Sequence, residues 1–185
     1  MNPTASKRHR RIDNPVQRDA ATFLETSEDT GGERTLAELE VAPGGKVTPH
    51  YHLAYSERFT VLEGRLIVEI DGVRHELGVG DQAVAAPGSL HAWSNPGQER
   101  SVAHVELRPG SPGFEKGLRV AYGLAADGLV LKNGVPRNPL HTALMLEMGE
   151  VRLPGAYAAL GRILGLLARL ARWRGIDREL ERRYL

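Results

Sequence analysis

The chain has 185 residues, 24 Lys+Arg against 23 Asp+Glu for a formal net charge of +1, and no cysteine. That length supports one domain with a sizeable core plus an appendage, and the lack of cysteine excludes disulfides and thiolate ligands and fits a reducing cytoplasm, the expected location. The opening residues, Met-Asn-Pro-Thr-Ala-Ser-Lys-Arg-His-Arg-Arg, carry charges with no apolar run behind them, so they read as neither a secretory signal nor a membrane anchor.

Residues 1–19 are expected to form a basic, disordered arm. No aromatic or fold-level feature supports nucleic-acid contact through Lys7, Arg8, Arg10 and Arg11. Strand patterning begins at Ala21–Thr26, and Ser-Glu-Asp-Thr-Gly-Gly at 27–32 reads as a turn. Further strands are expected at Arg34–Ala42, Arg58–Glu63, Arg65–Ile70, Val73–Leu77, Gln82–Ala86 and Ser101–Arg108. Gly64 and the Asp71-Gly72 pair supply the tight turns between neighbouring runs. Short strands, close turns and no helical period before residue 110 indicate a mainly β, antiparallel double-sheet or closed architecture of the jelly-roll kind over residues 20–110.

After Ser111-Pro112-Gly113 the pattern turns helical, giving residues 111–185 as a helical extension. Phe114–Ala126 reads as a helix stopped at Asp127-Gly128, the stretch to Pro139 as a loop, and Leu140–Gly149 as a second helix. A third helix is expected from Ala156 onward, with Leu160, Ile163, Leu164, Leu167, Leu170 and Ala171 on one stripe and Arg162, Arg169 and Arg172 opposite. Charge divides with the architecture: residues 1–110 hold 12 basic and 16 acidic side chains, residues 111–185 hold 12 and 7. Burial of the apolar stripe on the barrel or across a homodimer is the favoured reading, with peripheral contact to a membrane surface or partner as the alternative.

Four residues carry the chemistry. His50, His52 and Glu57 lie within one short segment and His91 lies about forty residues on, a separation suited to a second strand of the same sheet or barrel. Three imidazoles and a carboxylate suit one divalent transition metal, Fe, Mn, Ni or Zn, and leave coordination positions open. Gly44, His50, His52, Glu57 and Gly64 fall in the frame G-x5-H-x-H-x4-E-x6-G, and Gly80, Gly88, His91 and Asn95 in G-x7-G-x2-H-x3-N. This pair of frames resembles the signature of the cupin superfamily, small single-domain members in particular. The chain departs from the usual pattern at Ala86, where the family commonly has proline, which touches a turn and no ligand. The tail resembles the helical extension of a poorly characterised cupin subgroup in Tyr-Gly-Leu-Ala-Ala-Asp-Gly at 122–128, Asn138-Pro139-Leu140 and Leu-Gly-Arg at 160–162.

The resemblance implies a barrel, a metal held by His50, His52, Glu57 and His91 at one end, and a small-molecule substrate or ligand. Strand parity sets Phe59 and Val61 on the face of Glu57, where they would wall the pocket. His104 and Glu106 share a face of the last strand, and two readings stay open: catalytic proton carriers if that face is inner, a solvated pair if it is outer. The leading expectation is a metal-dependent enzyme, dioxygenase chemistry first, with Glu57 as ligand and base. The alternatives are a metal-dependent isomerase or lyase, or a non-catalytic small-ligand binder whose basic C-terminal helix contacts a partner or membrane.

Overall fold

The computed structural model describes residues 10–155 and 160–185. Nine strands come first: β1 (Arg11–Asn14), β2 (Asp19–Glu25), β3 (Thr35–Val41), β4 (Ser56–Glu63), β5 (Leu66–Ile70), β6 (Val73–Leu77), β7 (Gln82–Ala85), β8 (His91–Ser94) and β9 (Ser101–Arg108). Four helices follow among the described residues: α1 (Pro112–Ala126), α2 (Pro139–Met148), α3 (Gly161–Trp173) and α4 (Ile176–Tyr184). All strand pairings are antiparallel, in a six-stranded sheet ordered β1-β2-β3-β9-β4-β7 and a three-stranded sheet ordered β6-β5-β8.

Alternating patterns send one side of each strand inward. Leu39 and Val41 from β3, Phe59 and Val61 from β4, Leu66 and Val68 from β5 and Val105 and Leu107 from β9 meet in one buried cluster between the sheets. Gly64 makes the β4–β5 turn at φ 70°, and a Cβ there would stand 2.7 Å from the Arg100 carbonyl oxygen, so the turn requires glycine.

Within the expected disordered arm of residues 1–19, residues 10–19 are ordered, and residues 1–9 lie outside the described residues. Arg11–Asn14 pairs with β2 as an edge strand, because Arg11↔Thr22 through Asn14↔Asp19 complete the β2 edge with backbone hydrogen bonds and Asn14 is buried. A strand carrying His91 was expected but without a range; four residues of His-Ala-Trp-Ser are too few to show a period, and their pairing with β5 makes them β8.

The helices form a second core from Val120 and Leu124 of α1, Ala143 and Leu144 of α2, Ala168 and Ala171 of α3 and Leu180 of α4. The Ser111 side chain accepts from the Phe114 N–H at 3.0 Å with Pro112 in the first turn, which starts α1. Glu115 then ties α1 to the barrel, accepting from the Ser27 N–H and the Thr35 hydroxyl, each at 2.6 Å. The start expected for the third helix falls on residues 156–159, outside the described residues; α3 runs to Trp173 and the chain turns at Gly175, φ 72°, into α4. Its expected stripe is divided: Leu164, Leu167 and Ala171 face the helical core, whereas Leu160, Ile163 and Leu170 stay exposed.

One buried contact between barrel and helices makes stability pH-dependent. The Tyr122 hydroxyl donates to Asp19, whose carboxyl is buried and has a second oxygen without a partner. Burial raises Asp19 to about 7, with the Asp13 charge adding and the Tyr122 hydrogen bond opposing. A carboxyl whose folded value lies above its unfolded value of about 3.9 binds more protons when folded, so this group's contribution is lost as pH rises toward 7. Asp19→Asn keeps an acceptor for Tyr122 but cannot titrate. Thermal melts of the native chain should fall more steeply between pH 5 and pH 8 than those of Asp19→Asn; parallel slopes would refute the assignment.

Candidate metal centre

The four donors reach one point from three places in the fold. Glu57 is the second residue of β4 and points inward with Phe59 and Val61, while His91 begins β8 in the other sheet. His50 and His52 lie between β3 and β4 on backbone that runs antiparallel beside β8. Lys46 bridges to Ser94, the His50 N–H donates to the His91 carbonyl at 3.0 Å, and the His91 N–H returns to the His50 carbonyl at 2.8 Å. The segment carrying His50 and His52 is thus joined to β8 by isolated bridges rather than by a regular ladder, and the His52 carbonyl is held by the Gly88 N–H at 2.6 Å.

One ligating atom from each of His50, His52, Glu57 and His91 lies within 4.8 Å of the others. The ring centroids are 4.5 Å apart for His50–His91, 5.0 Å for His50–His52 and 5.4 Å for His52–His91. Glu57 stands between two rings, Oε2 being 3.1 Å from His91 Nε2 and Oε1 3.5 Å from His52 Nε2. His52, Glu57 and His91 are 2%, 4% and 3% exposed, whereas His50 is half-buried, so the centre meets solvent on the His50 side.

Proton accounting aims the nitrogens. Nδ1 of His50 donates to the Thr48 carbonyl and Nδ1 of His91 to the Ser89 carbonyl, both at 2.9 Å. Nδ1 of His52 lies 2.7 Å from the Tyr55 hydroxyl, which itself donates to the Gly149 carbonyl at 3.0 Å. The hydroxyl has one proton and gives it to Gly149, so His52 Nδ1–H must be the donor to Tyr55. Burial pushes the Tyr55 phenol up, which keeps that proton in place. Each Nε2 is left to face the centre, and that of His52 is buried with no hydrogen-bond partner. A buried orphan nitrogen costs about 1–3 kcal/mol, and a cation is what this donor set would satisfy it with.

The electrostatics agree. Burial takes His50 down to about 4 with the His91 charge adding, and burial also lowers His52, so both rings are neutral ligands. Burial alone would push Glu57 up, but the His91 hydrogen bond and the three imidazoles hold its carboxyl at about 2. Burial likewise opposes a charged His91, and its hydrogen bond and attraction to Glu57 outweigh that and raise it. The Glu57 contact thus favours a charged His91, whose Nε2 proton a cation held by these residues would displace. His50, His52, Glu57 and His91 fit a cupin-type metal site by position, donor chemistry and protonation.

Two residues beyond the four donors complete the surroundings. Phe114 of α1 stands edge-on to His52 and Tyr55, with centroids 6.4 and 5.9 Å away, and Tyr55 stacks on His52 at 4.5 Å. Tyr55 lies inside the motif, three residues after His52, and that local spacing was a usable signal; its partner Gly149 is 94 residues away and gave none. Gly117 of α1 allows the approach, since a Cβ there would be 2.7 Å from the Gly149 nitrogen.

The last strand corrects the catalytic expectation. Ala103, Val105 and Leu107 point into the core, so His104 and Glu106 occupy the outer face of β9. Glu106 is held there by Arg34, Arg58 and Arg108, and His104 sits opposite Thr60 and Glu38 in the neighbouring strands. Neither reaches the centre. Phe59 does, with its ring 6.2 Å from that of His91, while Val61 lies one inward position deeper and packs in the core.

Residues 37–107 match the family model described as Cupin domain. The chain is 39% identical over 72 residues to "Polyketide synthase CurC" of Streptomyces cyaneus, covering 38% of this chain and 46% of that protein. It is 29% identical over 82 residues to "Tetracenomycin polyketide synthase protein TcmJ" of Streptomyces glaucescens, covering 44% and 55% respectively. The chain therefore spans about half the length of the curated relatives it matches. Among solved structures, KdgF from Halomonas sp. is similar with a TM-score of 0.49 and 18% identity, over 55% of this chain and 87% of that one.

Protein purified without chelator should contain about one divalent transition metal per chain by elemental analysis, and His91→Ala should contain little. Metal at 100 times its Kd should stabilise the native chain by about 2.7 kcal/mol. Tyr55→Phe leaves His52 Nδ1–H and the Gly149 carbonyl unpaired, so chelator competition should show affinity reduced 10–100-fold. Unchanged affinity in Tyr55→Phe would remove the hydroxyl from any part in aiming His52.

Proposed function

Starting from a chain that is a cupin-superfamily protein with a C-terminal helical region, we propose that it is a metal-dependent enzyme acting on a small, oxygen-rich organic molecule, with dioxygenase chemistry as its reaction. The observation that carries this is the convergence of three imidazole Nε2 atoms and one carboxylate at a centre beside apolar rings, with His50 the least buried of the four. A divalent transition metal bound there supplies positions at which a chelating substrate and dioxygen can meet.

The protein's own residues do the rest. Phe59 and Phe114 exclude water from the two buried histidines, which strengthens every charge interaction at the centre. The half-buried His50 side is the route by which a substrate oxygen approaches. With His104 and Glu106 outside the barrel, Glu57 is the carboxylate placed to hold or release a substrate proton. A carboxylate held at about 2 is a weak base, so Glu57 would take a proton only from a group whose acidity a bound cation raises, such as the oxygen of a coordinated enol or phenol. Two relatives have polyketide synthase in their names, and a polyketide is a carbon chain dense in carbonyl and hydroxyl oxygens, which supports this substrate class.

Metal-loaded protein, tested against a panel of enolisable and phenolic compounds, should consume dioxygen together with substrate in a closed oxygen cell. His91→Ala should lose at least 100-fold in turnover while keeping its native circular dichroism. Equal turnover under nitrogen would replace the oxygenase reading with an isomerase or lyase. Ligand binding without turnover in either atmosphere would make the chain a non-catalytic binder.

A further inference from the structure

The outer face of α3 is apolar, uncovered and edged by arginines. Ile163, Leu166 and Trp173 are 54%, 62% and 80% exposed, and Leu160 and Leu170 are exposed as well. Residues 163, 166, 170 and 173 fall within an arc of about 80° at 100° per residue, on the side away from Ala168 and Ala171, which the helical core buries. Arg162 and Arg169 lie along one edge of this strip and Arg174 lies at the other, all exposed. α3 contains no acidic residue. Trp93 is buried in the barrel, so Trp173 is the tryptophan presented to solvent.

We propose that this face docks α3 in the plane of an anionic lipid surface, with Ile163, Leu166, Leu170 and Trp173 entering the headgroup–acyl boundary and Arg162, Arg169 and Arg174 meeting lipid phosphates. An apolar strip with a tryptophan and flanking arginines is the composition that such docking uses, and each arginine near an anionic surface adds to the attraction. The helix lies on the surface and does not cross it: thirteen residues span about 20 Å, and no described helix is long and apolar enough for a membrane span.

Charge and size both argue against a second copy as the occupant. Pairing the strip with itself about a two-fold axis would set Arg162, Arg169 and Arg174 of one copy near those of the other, with no acid on either helix to offset them. The strip is also about 20 Å by about 10 Å, on the order of 200 Å², well below the roughly 800 Å² per partner of a stable interface. An anionic bilayer supplies compensating charge and has no minimum area.

The test uses the full chain with sucrose-loaded vesicles of phosphatidylcholine alone or with phosphatidylglycerol at three to one. The native chain should sediment with the anionic vesicles at low salt, at least tenfold more tightly than with phosphatidylcholine, and the difference should shrink at 0.5 M NaCl. Trp173 emission should shift to the blue on binding, and Trp173→Phe should abolish the shift. Leu166→Glu should abolish sedimentation, and the double change Arg162→Gln, Arg169→Gln should weaken it on the order of tenfold or more. These side chains are exposed, so melting temperatures should match the native chain and separate lost docking from lost folding. Absence of anionic-vesicle binding overturns the proposal, as does a dimer in sedimentation velocity that Leu166→Glu splits. The readout needs no metal and no turnover, so it stands or falls apart from the enzymatic reading.

Discussion

Three oxygen acceptors, the Thr48 carbonyl, the Ser89 carbonyl and the Tyr55 hydroxyl, decide where the imidazole protons sit, and the character of the centre depends on that choice. An imidazole has two nitrogens of nearly equal basicity, and only an outside partner settles which one carries hydrogen. With every Nδ1 committed, the Nε2 atoms are aimed at Glu57 rather than at the protein around them. The arrangement is costly without a cation: one nitrogen has no partner, and a buried carboxylate leans on a charged His91. Such a cost in a buried polar cluster is the pattern expected of a cation-binding site rather than of a stabilising contact.

Two of those acceptors are backbone atoms of neighbouring residues and come with the local chain. The third is different, because Tyr55 can accept from His52 only while Gly149 takes its proton. Gly149 follows α2, and its position is set by the close approach of α1 at Gly117 and by the antiparallel bridge between Tyr51 and Arg152. The protonation state of one ligand is therefore tied to the packing of the helical region, through a hydrogen bond that spans 94 residues of sequence.

What could be read from the sequence and what could not follows the range of the interactions. The convergence of four donors was legible because fixed offsets among His50, His52, Glu57 and His91 survive any detail of packing, and the inward side of Phe59 followed from Glu57 by parity. His104 and Glu106 had the same parity rule but no anchor. Ala103, Val105 and Leu107 make the inward row, yet an alanine and two medium aliphatics beside a histidine and a glutamate did not decide the face until β3 and β4 were seen on either side. β1 was missed because four residues with a charge at each of two positions carry no period, and pairing alone makes them a strand. The split of the α3 stripe was hidden for another reason. Leucines recur around much of that helix, so periodicity showed an apolar surface without showing which half the neighbouring helices cover.

The helical region is thus better understood as part of the candidate metal centre than as an appendage to a finished barrel. His50 and His52 ride on a segment outside any regular ladder, fixed on one side by bridges to β8 and on the other by the bridge from Tyr51 to Arg152. A ligand-bearing segment with so few backbone bonds of its own takes its position from what flanks it. On the barrel side the flank is a rigid sheet; on the other it is the end of α2, held by the shared core of α1 through α4. Closing the centre with helices rather than another strand leaves His50 half-buried while burying His52 and His91, so the four donors differ in their access to solvent.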